Sequence, residues 1–137
     1  MYISTRGRYA LRVMLDLAEN ATCEYTPMKE VAKRQEISLK YIERIMPALV
    51  QAGFVEGVHG RGGGYRLVHA PKIYTVGAIL RLSEGELAPV ACLSCDADPC
   101  SRAANCKTLP LWKKLDTMVN DFFDSITLQD LLDSSVK

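Results

Sequence analysis

The stretch Ser38-Leu-Lys-Tyr-Ile-Glu-Arg-Ile-Met-Pro-Ala-Leu-Val-Gln-Ala-Gly53 decides the fold. Ile42, Ile45, Met46, Leu49 and Val50 recur at helical spacing, Ser38 supplies an N-cap and Gly53 a C-terminal stop, which predicts a helix from Leu39 to Ala52. Leu39, Ile42, Ile45 and Met46 take its buried side. Ser38, Lys40, Tyr41, Glu43 and Arg44 are left on the outer side of the first turns, polar and able to hydrogen-bond. Pro47 removes the bond to the Glu43 carbonyl and predicts a bend beyond those turns.

Toward the N-terminus, Thr26-Pro27 reads as an N-cap followed by Pro at the first helical position. The short helix it opens turns Met28, Val31 and Ala32 inward and ends near Gln35. Three residues, Gln35-Glu36-Ile37, separate it from the next, the spacing of a helix-turn-helix. Earlier still, Thr5 precedes a helix in which Tyr9, Val13 and Leu17 recur every four residues, with Ala10, Met14 and Ala18 beside them.

Beyond Gly53, Phe54-Val-Glu-Gly-Val58 and Tyr65-Arg-Leu-Val68 alternate like strands, joined by His59-Gly-Arg-Gly-Gly-Gly64. A nucleotide-binding glycine loop joins a strand to a helix, whereas this run joins two strands. The element order is that of a winged helix. A helix of this kind enters the major groove by its N-terminal turns. At the wing tip, Gly62 and Gly63 let the backbone pass close to a sugar-phosphate chain while Arg61 is presented to a phosphate or the minor groove.

The composition agrees with one small globular domain and gives the charge a direction. The chain has 137 residues, 48% hydrophobic and 24% charged, with a net charge of +1. Residues 1–72 carry eleven Lys plus Arg against seven Asp plus Glu, net +4; residues 73–137 carry six against nine, net −3. A basic front half suits a polyanion. No run approaches the length of a membrane span, and Met-Tyr-Ile-Ser-Thr-Arg-Gly-Arg lacks the apolar region of a secretory signal, so the expectation is a cytoplasmic protein without a membrane partner.

In the back half, Thr75 caps a helix from Val76 to Glu84, and Gly85 and Pro89 open a loop reaching about Thr108. Four of the five Cys lie in it, Cys92, Cys95, Cys100 and Cys106, separated by two, four and five residues. Thiols gathered in one cytoplasmic loop suit an iron-sulfur cluster or zinc; a redox disulfide and unligated thiols are the other readings. An oxidoreductase is disfavoured, because Cys92-Leu-Ser-Cys95 sits in a loop and not where a strand meets a helix. Cys23 stands apart and reads as a small core residue.

Thr108 then caps a helix from Leu109 to Ser125, and Thr127 opens a short last one. Leu111, Leu115, Met118 and Phe122, flanked by Trp112, Val119 and Phe123, form a stripe too broad for one face of a small domain. It suits a second copy of the chain in a two-fold dimer; the other reading is a lid on the first helix.

The stretch from Ser4 to Ala18, Ile37-Ser-Leu-Lys-Tyr-Ile-Glu-Arg-Ile45, Gly60-Arg-Gly-Gly-Gly-Tyr65, the cysteine loop and Ser125-Ile-Thr-Leu128 together resemble the Rrf2 family of bacterial transcription regulators, most closely its iron-sulfur cluster regulators. The resemblance covers nearly the whole chain. It implies a mostly α fold with a small β-hairpin: a homodimeric winged helix-turn-helix on a double-stranded DNA operator, with a 2Fe-2S cluster on the loop before the dimerisation helix. In those terms residues 1–72 are the DNA-binding region, 73–90 a connecting helix, 91–107 the cluster loop and 108–137 the dimerisation helix with a terminal turn. Ser38, Tyr41, Glu43 and Arg61 fall where the family reads or clamps the operator, while Lys40 and Arg44 depart from it.

The family's three cluster cysteines fall on Cys92, Cys100 and Cys106, the first gap being wider than usual. Both customary fourth ligands are absent. Leu109 stands where the cluster regulators have a His, and Arg8 where nitric-oxide-sensing relatives carry an acid on the partner's first helix. Cys95 is then the remaining candidate, giving an all-thiolate site with zinc as the alternative guest. A metal-free or zinc-bound repressor of the same family, sensing a thiol metabolite or a partner protein, is the other function implied.

Overall fold

A computed structural model describes residues 3–22, 24–94 and 97–136. Six helices and one hairpin follow each other: α1 (Thr5–Glu19), α2 (Met28–Gln35), α3 (Leu39–Gln51), β1 (Val55–Val58), β2 (Gly64–Leu67), α4 (Val76–Glu84), α5 (Leu109–Ser125) and α6 (Leu128–Leu132). The strands pair antiparallel, Val55 opposite Leu67 and Val58 opposite Gly64. This is the mostly α winged helix-turn-helix expected.

The caps explain the element boundaries, and two are not where the sequence places them. Ser4, just before Thr5, caps α1 by accepting from the Gly7 N–H at 3.2 Å. Thr75 caps α4, and Thr127 with Asp130 forms a reciprocal capping box on α6. Thr26 is not the cap of α2: Pro27 occupies that position, with no side-chain hydrogen bond. Thr26 instead exchanges two backbone bonds of 2.9 Å with Tyr65, so the segment between α1 and α2 adds a bridge to the free side of β2. Thr108 precedes α5 without capping it, because its hydroxyl lies 3.3 Å from Cys106 Sγ. The helix α3 continues through Pro47, an exposed residue, so the bond it forfeits falls on the solvent side.

One core joins the three N-terminal helices to the base of the wing. Ala10, Val13, Met14, Val31, Ile42, Ile45, Met46, Leu49 and Val55 are its centre, and Tyr74, Ile79 and Leu128 bring α4 and α6 into it. Val76, Leu80, Leu87 and Ile126 form a second cluster under the start of the cysteine loop. Helix α5 contributes no buried residue. It rests on α4 and on the 3-10 turn Ala91–Leu93, and it is no lid on α1. Leu111, Leu115, Met118 and Phe122, spaced four, three and four apart, are 58, 38, 58 and 45% exposed. The stripe read from the sequence is therefore bare on the single chain.

Candidate functional site

The turn between α2 and α3 sets the attitude of the reading helix. Glu36 closes α2 in the left-handed region at φ 55°, its N–H bonded to the Ala32 carbonyl. Ile37, 4% exposed, pins the turn into the core, and Ser38 Oγ accepts from the Tyr41 N–H at 3.1 Å. A cap bond of this kind is worth about 1 kcal/mol and satisfies one of the helix's orphan donors. Leu39 is only half-buried. Ser38, Lys40, Glu43 and Arg44 are exposed, and no ion pair with a described residue ties down Lys40, Glu43 or Arg44. Tyr41 differs from that set. It is half-buried, its ring edge-on to Tyr9 at 5.2 Å, so its body packs on α1 and less of it faces outward than the spacing suggests.

A buried acid that the sequence reading overlooked holds α2 against α1. Asp16, 1% exposed, takes Arg34 in a bidentate pair (2.7 and 3.1 Å) and the Gln35 amide at 2.9 Å. Arg12 Nε also donates to Gln35 Oε1 at 3.2 Å, while its guanidinium lies 5.3 Å from the Tyr9 ring centre. The signal was an Asp inside the apolar face Val13, Met14, Leu17; a carboxylate there needs partners.

The wing is held at its base and free at its tip. Gly64 passes so close to Thr26 that a Cβ on it would lie 2.1 Å from the Thr26 carbonyl oxygen, which explains why this residue has no side chain. At the tip Gly63 N–H bonds the Gly60 carbonyl at 2.9 Å, and Gly62 takes φ 76°. Arg66 is engaged with Glu56 at 2.6 Å and over the Tyr25 ring at 4.4 Å. Arg61 at the tip is exposed and makes no hydrogen bond or ion pair with a described residue. One cation thus braces the hairpin and another is left available.

The cysteine loop lies at the foot of α5. Cys92 and Cys100 are exposed and Cys106 half-buried, all three as free thiols, while Cys95 and Cys23 lie outside the described residues. Among the described residues no three His, Cys, Asp or Glu groups gather around one point where an ion could bind. The donor types suit a thiophilic metal centre, but in this conformation the described thiols do not assemble one. Cys106 is chemically distinct. The Thr108 hydroxyl, then the Thr108 backbone N–H, stabilise its thiolate, with lesser help from the Leu109 N–H and Arg102, and its pKa falls below the ordinary thiol value. The opposite, C-terminal end of α5 is joined to α4 by Arg81, which donates to Asp124 at 2.7 and 3.0 Å and to Asn120 at 2.6 Å.

A helix-turn-helix with an outward polar turn and a wing carrying an exposed arginine define a winged-helix protein, and no described helix is long and apolar enough to cross a membrane. Comparison with known proteins agrees. The Rrf2 family, described as iron-dependent transcriptional regulators, matches residues 3–134. The transcriptional regulator IscR of Aliivibrio salmonicida is 34% identical over 96% of this chain and 77% of its own length. Among solved structures, CymR, the global cysteine regulator of B. subtilis, is 35% identical with a TM-score of 0.77 over 96% of this chain and 95% of its own. IscR of T. potens is 31% identical with a TM-score of 0.74, over 98% and 88%. The chain belongs to the Rrf2 family of DNA-binding transcriptional regulators, whose members found here are regulators and not enzymes.

Proposed function

We propose that the chain acts as a homodimer on a two-fold operator, with α3 in the major groove, the wing on the flanking backbone or minor groove, and the cysteine loop as the sensing element. The observation that carries this reading is the pairing of an outward polar turn, Ser38, Lys40, Glu43 and Arg44, with a bare apolar stripe on α5. A lone winged helix has one half-site, and two half-sites about 34–36 Å apart require a dimer of fixed geometry. Glu43 reads a base edge, Lys40 and Arg44 add phosphate or guanine contacts, and Tyr41 supports the helix more than it reads. Gly62 and Gly63 allow the close backbone approach that brings Arg61 to the duplex.

The guest of the loop is a 2Fe-2S cluster, held by Cys92, Cys100, Cys106 and Cys95; zinc is the alternative metal. The description of the family as iron-dependent and the likeness to IscR support it. A cluster would supply a labile, redox-variable centre beside the foot of α5. Gathering the thiols around it requires the loop to change shape, and that change, at the junction of α4 and α5, alters the spacing of the two reading helices.

A metal-free reading has its own support: the described thiols form no group of three ligands, the Cys106 pKa is lowered, and CymR is among the structural neighbours, one of its S. aureus structures being of an oxidised form. Oxygen-free purification, iron and sulfide analysis and visible absorption after reconstitution separate the two. Iron and sulfide in stoichiometric amount, with operator affinity that changes on their removal, is the expected result. Colourless protein whose affinity responds instead to thiol oxidation selects the metal-free reading.

A further inference from the structure

Tyr74 lies in the short connector between the wing and α4. It is 3% exposed, and its hydroxyl is the meeting point of three backbone groups. It donates to the Phe54 carbonyl at 2.7 Å and accepts from the Val68 and His69 N–H groups at 3.1 and 2.9 Å. Phe54 immediately precedes β1, and Val68 and His69 immediately follow β2. One phenol therefore ties together the two roots of the hairpin, where the strand ladder has ended and a longer Val68 N–H to Phe54 carbonyl bond of 3.3 Å also spans them. Its ring packs edge-on to Phe54 at 5.5 Å and tilted against His69 at 5.9 Å. Burial holds the phenol in its neutral, donating form by raising its pKa.

The backbone of the same residue faces the other way. The Tyr74 carbonyl accepts from the Leu128 N–H at 3.0 Å, and the Val76 N–H donates to the Ile126 carbonyl at 2.8 Å, so Thr75 and Thr127 form an antiparallel bridge. Ile126–Leu128 is where α5 ends and α6 begins, anchored by Ile126 and Leu128 in the core. From the end of α5 to the roots of the wing the path is thus two backbone bonds, one residue and three more bonds.

We infer that Tyr74 is a positioning residue for DNA binding: its hydroxyl fixes the wing relative to α3, and its backbone makes the wing follow the end of α5. The inference rests on the reading that Arg61 at the wing tip touches DNA. Removing the hydroxyl leaves ring packing intact and leaves the roots joined by the longer Val68–Phe54 backbone bond without the phenol's three, so Arg61 samples more positions and loses most of its contribution. The stretch Tyr74–Val76 is the rigid link by which any shift of α5, whatever its cause, reaches the duplex.

The test is a pair of double-mutant cycles on the full chain. Tyr74→Phe, Arg61→Ala, Lys40→Ala and the combinations Tyr74→Phe/Arg61→Ala and Tyr74→Phe/Lys40→Ala are titrated against one duplex recovered by selection from random sequence with the wild-type protein. Tyr74→Phe weakens binding about fivefold on the wild-type and Lys40→Ala backgrounds, and less than about twofold on Arg61→Ala. Amide exchange at Val68 and His69 quickens in Tyr74→Phe while that of α3 is unchanged. A general loss of stability would instead weaken binding equally on all backgrounds, and that additive result overturns the inference, as does an unchanged affinity. If Arg61→Ala binds like wild type, the wing reading itself has failed and the inference falls with it. If Arg61→Ala weakens binding but the cycle is additive, only the role of Tyr74 is lost.

Discussion

Asp16 shows how a single charged side chain governs where the reading helix sits. Buried to 1% among Arg34 and Gln35, it couples the middle of α1 to the end of α2, one residue before the turn at Glu36. Arg34 is itself 37% exposed, so water recovers part of its charge when the acid is removed. We therefore expect Asp16→Ala to cost about 2 kcal/mol, below the figure for fully buried pairs, and to lower Tm by roughly 8 °C in calorimetry. Asp16→Asn should lose less, because it keeps one acceptor for the guanidinium.

Cys106 supplies the pH dependence at the same scale. Its pKa is lowered mainly by the Thr108 hydroxyl, so thiolate forms at lower pH than in an ordinary thiol, and alkylation accelerates as pH rises through that lowered value. In metal-free reduced protein, iodoacetamide followed by peptide mass analysis should label Cys106 ahead of Cys92 and Cys100 at neutral pH. Thr108→Val removes the largest cause and should move the Cys106 rate profile to higher pH. A profile unmoved by that change would show that the hydroxyl does not set the reactivity.

At the scale of elements, the proposed function has α3 and the wing divide the labour of binding. Arg61 has no partner among the described residues, so its charge is free to replace a counterion on the duplex. Arg61→Ala should weaken binding to specific and random DNA alike and reduce the slope of log K against log salt by about one. Glu43→Ala should leave that slope nearly unchanged and relax base choice at one operator position, costing about 1–3 kcal/mol there, read by competition among single-base operator variants. Equal effects of the two changes on both kinds of DNA would contradict the division.

Helix α5 makes the corresponding claim about assembly. Leu111, Leu115, Met118 and Phe122 expose an apolar seam over three turns, while Asp124 and Asn120 on the other side of the helix are held by Arg81 of α4. The fastening matters because a seam can align two reading helices only if it is rigid with respect to its own domain. Met118→Glu puts a charge in the middle of the seam and should raise the dimer dissociation constant at least about thirtyfold, by roughly 2 kcal/mol. Sedimentation should then show monomers at micromolar concentration, with operator affinity falling while the far-ultraviolet dichroism stays that of the wild type.

Seen as a whole molecule, the chain is a winged helix whose proposed sensing loop and assembly helix reach its proposed reading head through α4 and the end of α5. The polar links on that path include Arg81 to Asp124 and Asn120, the bridge of Thr75 with Thr127, and Tyr74 at the roots of the wing, beside the apolar cluster of Val76, Leu80, Leu87 and Ile126. In the proposed switch a loop that changes shape by taking up a guest acts on these links, and a difference of about 1–3 kcal/mol between states gives roughly 5- to 150-fold regulation.

The order of elements, the caps at Ser38, Thr75 and Thr127, the exposed turn of α3, the bare stripe of α5 and the family itself were determined by the sequence, because helical period, cap chemistry and glycine placement are local properties of the chain. Only the tertiary structure decided that Thr26 leaves its helix to pair with Tyr65, that Thr108 turns to Cys106, that Tyr41 leans on Tyr9, and that Asp16 and Tyr74 are organising residues. Each of these depends on a partner brought close by packing, at least 18 residues away apart from Cys106 for Thr108 and the Val68 and His69 groups at the Tyr74 hydroxyl. Neither period nor propensity carries such a pairing, and for that reason the reading face was legible from residue types while the means of holding it was not.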